Sequence, residues 1–316
     1  MLEYILPMAI AFAITAMATP FFIGYLKKRE VGQTTREEGP SWHDEKSGTP
    51  TMGGTVFLLS ILLVLFFSAW MLNLLDTPML MILLTLFLFG GIGFVDDYIS
   101  IYKQQNEGLT ARQKFLAQLI FAILVIGIGL FGQLTLYIPF GFADMTLPVL
   151  VLLFGVVWIV GFSNAVNLTD GLDGLATGQN IIAYSAYFYL AIQSNEPQVA
   201  LACLVVVGSL LGFIIFNKKP AKIFMGDVGS LALGAGLATI SLILNNPWSL
   251  LIIGIIFVIE TLSVILQVLS FKLRGKRIFK MSPIHHHFEL SGWPEARVTT
   301  TFWLVGLVAA LLFFYL

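Results

Sequence analysis

The chain has 316 residues, of which 58% are hydrophobic and only 11% charged, and its mean hydropathy is +0.90. That charged fraction is about half of what a soluble globular domain carries, so the composition excludes a soluble enzyme, a disordered chain and a disulfide-built secreted module. The formal net charge of −1 decides nothing as a total, and one cysteine, Cys203, allows no internal disulfide.

A helix needs about 20 apolar residues to cross the hydrocarbon core. On that measure the sequence predicts an all-α polytopic membrane protein of ten transmembrane helices, a single integral domain over 1–316. In chain order the spans cover 2–26, 55–75, 79–95, 115–131, 147–162, 174–193, 199–216, 229–245, 250–271 and 300–316. The sixth is the most diluted, with Gly, Thr and Gln in its first turn. The outer segment 133–146 reads as a short hairpin.

The basic residues orient these spans. Lys27, Lys28, Arg29, Arg36 and Lys46 follow the first span; Lys103, Arg112 and Lys114 follow the third. Lys218, Lys219 and Lys222 follow the seventh, and Lys272, Arg274, Lys276, Arg277, Lys280 and Arg297 follow the ninth. These are all 17 Lys and Arg residues, and the loops near Asp76, Asp144, Glu196 and Asn246 contain none. The positive-inside rule then makes the basic loops cytoplasmic and puts both termini outside. The first apolar run, with its positive cluster behind it, reads as a span and not as a cleaved signal peptide.

Five of the eight aspartates fall at the inner ends of spans: Asp96, Asp97, Asp170, Asp173 and Asp227. Ionisable groups at membrane depth are costly and mark function. Asp96 and Asp97 close the third apolar run, where a helix C-terminus would meet them with its negative end. Two adjacent acids there invite a metal or a general base. Asn167, Asp170 and Asp173 lie in Asn-Leu-Thr-Asp-Gly-Leu-Asp-Gly; one acid could cap the sixth helix, and i, i+3 spacing would put both on one side. Asp227 stands between Gly226 and Gly229 at the start of the eighth span, where backbone N–H groups suit a phosphate. His285, His286 and His287 are consecutive, which is not zinc-ligand spacing but suits a phosphate or pyrophosphate. Glu260 falls inside the ninth span, where it must pair, be protonated or line a polar cleft.

Carboxylates of this kind suit Mg²⁺, which binds through one or two acids plus substrate phosphates. Acids, glycine turns, cations and histidines together are the parts of phosphoryl transfer, and their position at the inner edge of the membrane predicts one lipid substrate and one cytosolic nucleotide derivative.

Five segments carry a resemblance: 46–54 (Lys-Ser-Gly-Thr-Pro-Thr-Met-Gly-Gly), 94–98 (Phe-Val-Asp-Asp-Tyr), 167–176, 224–230 (Phe-Met-Gly-Asp-Val-Gly-Ser) and 283–290 (Pro-Ile-His-His-His-Phe-Glu-Leu). Together they closely resemble the phospho-N-acetylmuramoyl-pentapeptide-transferase family, within the polyprenyl-phosphate N-acetylhexosamine-1-phosphate transferases. The resemblance implies attack of undecaprenyl phosphate on UDP-N-acetylmuramoyl-pentapeptide, giving lipid I and UMP with Mg²⁺, in a bacterial plasma membrane. It also implies a homodimer and no nucleic-acid partner. Carried over by motif, Asp227 ligates Mg²⁺, with Asp97 also near the metal, and Asp96 and Asp97 deprotonate or orient the lipid phosphate. Asn167, Asp170, Asp173, Asn217, Phe224 and Gln267 would line the nucleotide pocket. Lys46, Thr51, His285, His286 and His287 would hold pyrophosphate or sugar, His286 with a catalytic part. A split ninth helix is implied as well. A phospho-aspartyl route and N-acetylglucosamine-phosphate transfer are the alternatives within the enzyme class. A transporter would place its site near the midplane between repeats, and no repeat is evident.

Overall fold

The computed structural model describes residues 2–29, 48–103, 108–136 and 147–315. Lys46 and the expected hairpin beyond Leu136 lie outside the described residues. Those described form α1 (Leu2–Lys28), α2 (Gly54–Met71), α3 (Thr77–Lys103), α4 (Ala111–Phe131), α5 (Pro148–Thr169), α6 (Leu175–Gln193), α7 (Pro197–Asn217), α8 (Gly226–Ile243), α9 (Ser249–Ile253), α10 (Ile255–Arg274), α11 (Ile284–Glu289) and α12 (Glu295–Phe313). Nine of these, among the described residues, are long and apolar enough to cross a membrane. The expected sixth span, α6, has 19 residues but falls outside that nine, because Thr177, Gln179 and Asn180 weaken its apolar character.

The expected ninth span is two helices. At Gly254 the backbone leaves helical geometry (φ −96°, ψ 26°) and separates α9 from α10. The break stands more than a turn before Glu260, so the polar stretch Glu260, Ser263, Gln267 belongs to one continuous helix.

Small residues let the helices approach, as close packing in a membrane requires. α8 is the central helix, with every residue from Val228 to Leu242 buried, and it packs on α3, α5 and α2. Gly229 meets Gly54 of α2, and Gly234 meets the Phe162 carbonyl of α5. On the other side, Gly208 and Gly212 of α7 seat against the α1 carbonyls of Met8 and Phe12. Buried hydroxyls tie the same interfaces: Thr15 donates to Ser209 (3.1 Å), Thr85 and Thr239 pair at 3.0 Å, and Tyr184 donates to the Leu233 carbonyl (2.9 Å).

At one end of the bundle the helices outrun their apolar segments. α3 continues about two turns past Val95, and α5 about two turns past Phe162. α4, α8 and α12 begin before their apolar runs do. Asp96 and Asp97 are therefore inside α3, not at its C-terminus, and the expected opposition of a helix end to these acids does not arise. The chain before α2 is pinned to the chain before α8 by main-chain bonds. Phe224 N–H donates to Pro50 O, Gly53 N–H to Phe224 O and Gly54 N–H to Met225 O, each at 2.8 Å.

Two glycines of α3 separate packing from propensity. A Cβ on Gly93 would run into the backbone of Asp227 and Val228, whereas one on Gly91 meets nothing within 4 Å. Gly93→Ala is expected to cost about 1–3 kcal/mol through overpacking. Gly91→Ala should be neutral or stabilise by up to about 1 kcal/mol. Thermal melting of both variants in detergent checks the contrast.

Candidate active site

Asp97 reaches from α3 to the N-terminus of α8. Its Oδ1 accepts the Asp227 N–H and its Oδ2 the Val228 N–H, both at 3.2 Å. The helix has no cap of its own, since Met225 makes no side-chain cap bond, so a carboxylate from another helix meets its positive end. The expected phosphate cradle at Gly226 is corrected here: its N–H groups are occupied by Asp97, and Gly229 is packed on α2. Gly226 is nonetheless needed, because its φ of +75° is a left-handed turn and Asp97 Oδ2 lies where a Cβ would stand.

That turn throws the Asp227 carboxylate toward α4 and α5. Asn167 Nδ2 donates to its Oδ1 at 2.8 Å and to Ser230 Oγ at 2.9 Å. Lys114 Nζ, from the first turn of α4, meets its Oδ2 at 2.5 Å and Asp96 Oδ2 at 3.1 Å. Asp96 also accepts the Leu109 N–H at 2.9 Å, which anchors the chain before α4. Asp96 and Asp97 are buried and Asp227 half-buried. Lys114 is the functional residue that sequence reasoning passed over. A lysine in an inner loop is already explained by membrane orientation, and nothing local links it to acids on α3 and α8.

Among the described residues, Asp96, Asp97 and Asp227 form the one group of three acids, each with an oxygen within 4.8 Å of the others, that could hold a metal ion. Three carboxylates against one ammonium leave a formal excess of two negative charges. All donors are hard oxygens, so the cluster fits a divalent cation such as Mg²⁺.

The turn after α5 extends the site. Asp170 ends α5, and the cap of α6 is Gly174 (φ +74°), so neither Asp170 nor Asp173 caps α6. The segment between α5 and α6 is not helical, which removes the expected i, i+3 face. Asp173 Oδ2 accepts the Ala221 N–H at 3.0 Å, while its own N–H donates to Glu295 of α12 at 2.8 Å. Glu295 also receives Lys219 Nζ at 2.6 Å. Asn217 is buried, accepting from Thr177 (2.6 Å) and donating to the Ile223 carbonyl (3.0 Å). Thr51 is half-buried, its hydroxyl beside Gly226.

The three histidines lie on the short α11, with the rings of His285 and His286 side by side, their centroids 4.1 Å apart, and the ring of His287 against Phe279. His285 is fully buried against Gly171, its Nδ1 3.1 Å from Glu260 Oε1, itself fully buried on α10. His286 Nδ1 bonds Glu289 at 2.8 Å, and His287 Nδ1 accepts the Lys280 N–H at 3.1 Å. Gln267 holds the loop between α10 and α11: its Oε1 accepts from Ile278 and Phe279, and its Nε2 donates to the Phe279 carbonyl, all at 2.9 Å. Asn167 and Gly171 are about one turn apart, so the acids and the histidine helix meet across the C-terminal end of α5.

Residues 79–245 match glycosyl transferase family 4, and residues 46–58 match phospho-N-acetylmuramoyl-pentapeptide-transferase signature 1. A phospho-N-acetylmuramoyl-pentapeptide-transferase of Lactobacillus gasseri is 53% identical over 312 residues, 98% of this chain and 97% of the relative. The enzyme of that name from Lactiplantibacillus plantarum is 53% identical over 304 residues (95% and 94%). That from Listeria monocytogenes is 50% identical over 307 residues (96% and 95%).

The Glu260–His285 pair offers a stability test. Removing one of two facing buried polar groups leaves the other without its neighbour, so Glu260→Ala is expected to cost about 1–3 kcal/mol. Lys219→Ala removes a half-exposed lysine while Glu295 keeps its bond from the Asp173 N–H, so its cost should be the smaller. Melting temperatures of the two variants, measured side by side, check this ordering.

Proposed function

Because the chain belongs to the phospho-N-acetylmuramoyl-pentapeptide-transferase family, and is a phosphoglycosyl transferase, we propose that it moves phospho-N-acetylmuramoyl-pentapeptide from UDP to undecaprenyl phosphate. The products are lipid I and UMP, and Mg²⁺ is the cofactor. The observation that carries this reading is the Asp96, Asp97, Asp227 and Lys114 constellation at the end of the bundle where the basic residues gather.

Parity supports the reading of ten spans, and the basic residues support a cytoplasmic site. Asp97 of α3 and the start of α8 are in contact, so both lie on one side of the membrane. Between them the chain passes through α4, α5, α6 and α7; three crossings would end on the opposite side, and counting α6 as the fourth makes the number even. Polar groups of α6 find partners inside the protein: Thr177 donates to Asn217, Gln179 to the Phe302 carbonyl of α12 and the Asn180 amide N–H to the Ala176 carbonyl of its own helix. Such partners are what a polar helix needs in lipid. With α6 counted, the positive-inside rule places the basic face in the cytoplasm and both termini outside. The bacterial plasma membrane and the homodimer are carried over from the family resemblance.

Asp227, with Asp97 close by, would hold Mg²⁺, which when bound supplies neutralisation of the diphosphate charge. Asn167 aims the Asp227 carboxylate, and Lys114 counters the charge of Asp96 and Asp227 while the site is empty of substrate. Asp96 and Asp97 would orient the lipid phosphate, whose oxygen attacks the sugar-linked phosphorus as the bond to UMP breaks. Lipid phosphate is already largely ionised near neutral pH, so positioning outweighs proton removal. Asp170, Asp173, Asn217, Phe224 and Gln267 would shape the nucleotide pocket, the last two largely through the loops they hold. Thr51, Lys46 and the histidines would take the pyrophosphate and sugar, with His286 set in orientation by Glu289.

UMP release from UDP-N-acetylmuramoyl-pentapeptide in the presence of undecaprenyl phosphate, with and without Mg²⁺, tests the reading. Asp227→Asn and Lys114→Met should each lower turnover by about 100-fold or more while the protein still folds. Efficient use of UDP-N-acetylglucosamine instead would favour the sister reaction. A phosphorylated protein trapped without lipid would favour the phospho-aspartyl route.

A further inference from the structure

We propose that Gln118 of α4 and Asn164 of α5 are a positioning pair that sets Lys114 and Asn167 against Asp227. The proposal rests on the transfer reading above. Asn164 Nδ2 donates to Gln118 Oε1 at 2.8 Å and also to the Val160 carbonyl of its own helix at 2.8 Å. Gln118 is one turn beyond Lys114 on α4, and Asn164 one turn before Asn167 on α5, so each amide shares a helix face with a group of the site. The contacts close a ring. Lys114 meets Asp227 at 2.5 Å, Asp227 accepts from Asn167 at 2.8 Å, α5 leads back to Asn164, the amide bridge crosses to Gln118, and α4 returns to Lys114. The bridge is the one strut of this ring, between α4 and α5, that touches neither the acids nor a substrate position.

Stability does not explain the bridge. The rest of the buried face of α4 is Ala122, Val125, Ile126 and Gly129, with Ile126 packed on Gly155 of α5. Gln118 is 1% exposed, and its Nε2 finds no hydrogen-bond partner among the described residues. A buried N–H left without a partner costs stability, and an apolar replacement of similar shape avoids that cost. Leucine would therefore serve the interface at least as well. What leucine would not do is fix the relative height of the two helices, which one directional bond does.

The test uses the full-length chain in detergent, saturated with Mg²⁺ and both substrates, with UMP release and melting temperature measured for each variant. The double variant Gln118→Leu with Asn164→Leu, which removes both halves of the bridge and leaves neither amide orphaned, should keep or raise the melting temperature while kcat falls by about tenfold or more, in line with the cost of a small misplacement of a reacting constellation. The loss should lie in kcat and not in KM for the sugar nucleotide. Gln118→Asn alone shortens the bridge and should lower kcat similarly. The double exchange Gln118→Asn with Asn164→Gln restores its length and should recover kcat to within about threefold of the unmodified chain, a coupling that a double-mutant cycle reads. A double leucine variant within about twofold of normal kcat, losses of activity that merely follow losses of folded protein, or an exchange no better than its single variants would each overturn the proposal. An unmodified chain that releases no UMP would overturn the transfer reading and the premise with it, whereas an active chain with indifferent variants overturns the positioning pair alone.

Discussion

A carboxylate on the flank of one helix caps the start of another, and the rest of the site depends on that bond. Asp97 supplies the acceptor that the first turn of α8 lacks. It does so only because Gly93, one turn earlier on α3, lets the two backbones touch. With that contact made, the left-handed turn at Gly226 has one place to go, and Asp227 is delivered beside Asp96. Three negative groups within one small volume repel each other strongly in a low dielectric. Lys114 offsets part of that cost from α4, and the remaining excess is what a divalent cation would satisfy. The capping bond therefore links the packing of α3 on α8 to the electrostatics of the reaction.

The apolar cores of the helices were legible in the sequence, since lipid demands unbroken runs of apolar side chains and those runs are visible. The ends were not. α3, α5, α8 and α12 extend beyond their apolar segments at the end that carries the acids. Hydropathy stops where the side chains become polar, but a helix continues wherever its polar side chains find partners on neighbouring helices. Asp96 with Leu109 and Lys114, and Asn167 with Asp227 and Ser230, are such partners. The sequence separation between Asp97 and Asp227 is 130 residues, and no local pattern reports a bond of that range.

The motifs themselves were legible as chemistry and less so as geometry. Asp96, Asp97, Asn167 and Asp227 do come together. The glycines around Asp227 looked like a phosphate cradle because a free helix N-terminus binds anions, yet the anion that occupies it is the protein's own Asp97. Three adjacent histidines suggested a shared ligand, and the rings of His285 and His286 do lie side by side, 4.1 Å between centroids. One of them, His285, is spent on Glu260 inside the bundle.

Polar pairs recur around this site where lipid would have tolerated apolar ones. Glu295 with Lys219 and Asp173 holds α12 to the turns after α5 and α7, and Asn164 with Gln118 holds α5 to α4. Hydrocarbon side chains slide past one another at little cost, so an apolar interface between membrane helices sets distance but not height. A hydrogen bond sets both, because its energy falls steeply with misalignment. A candidate site assembled from several helices needs height to be specified at each interface, and each of these pairs lies within about a turn of a residue proposed for the reaction. The polar pairs are thus explained by the precision the chemistry requires of the helices, and the stability of the bundle can rest on the small-residue packing of α8 and α7.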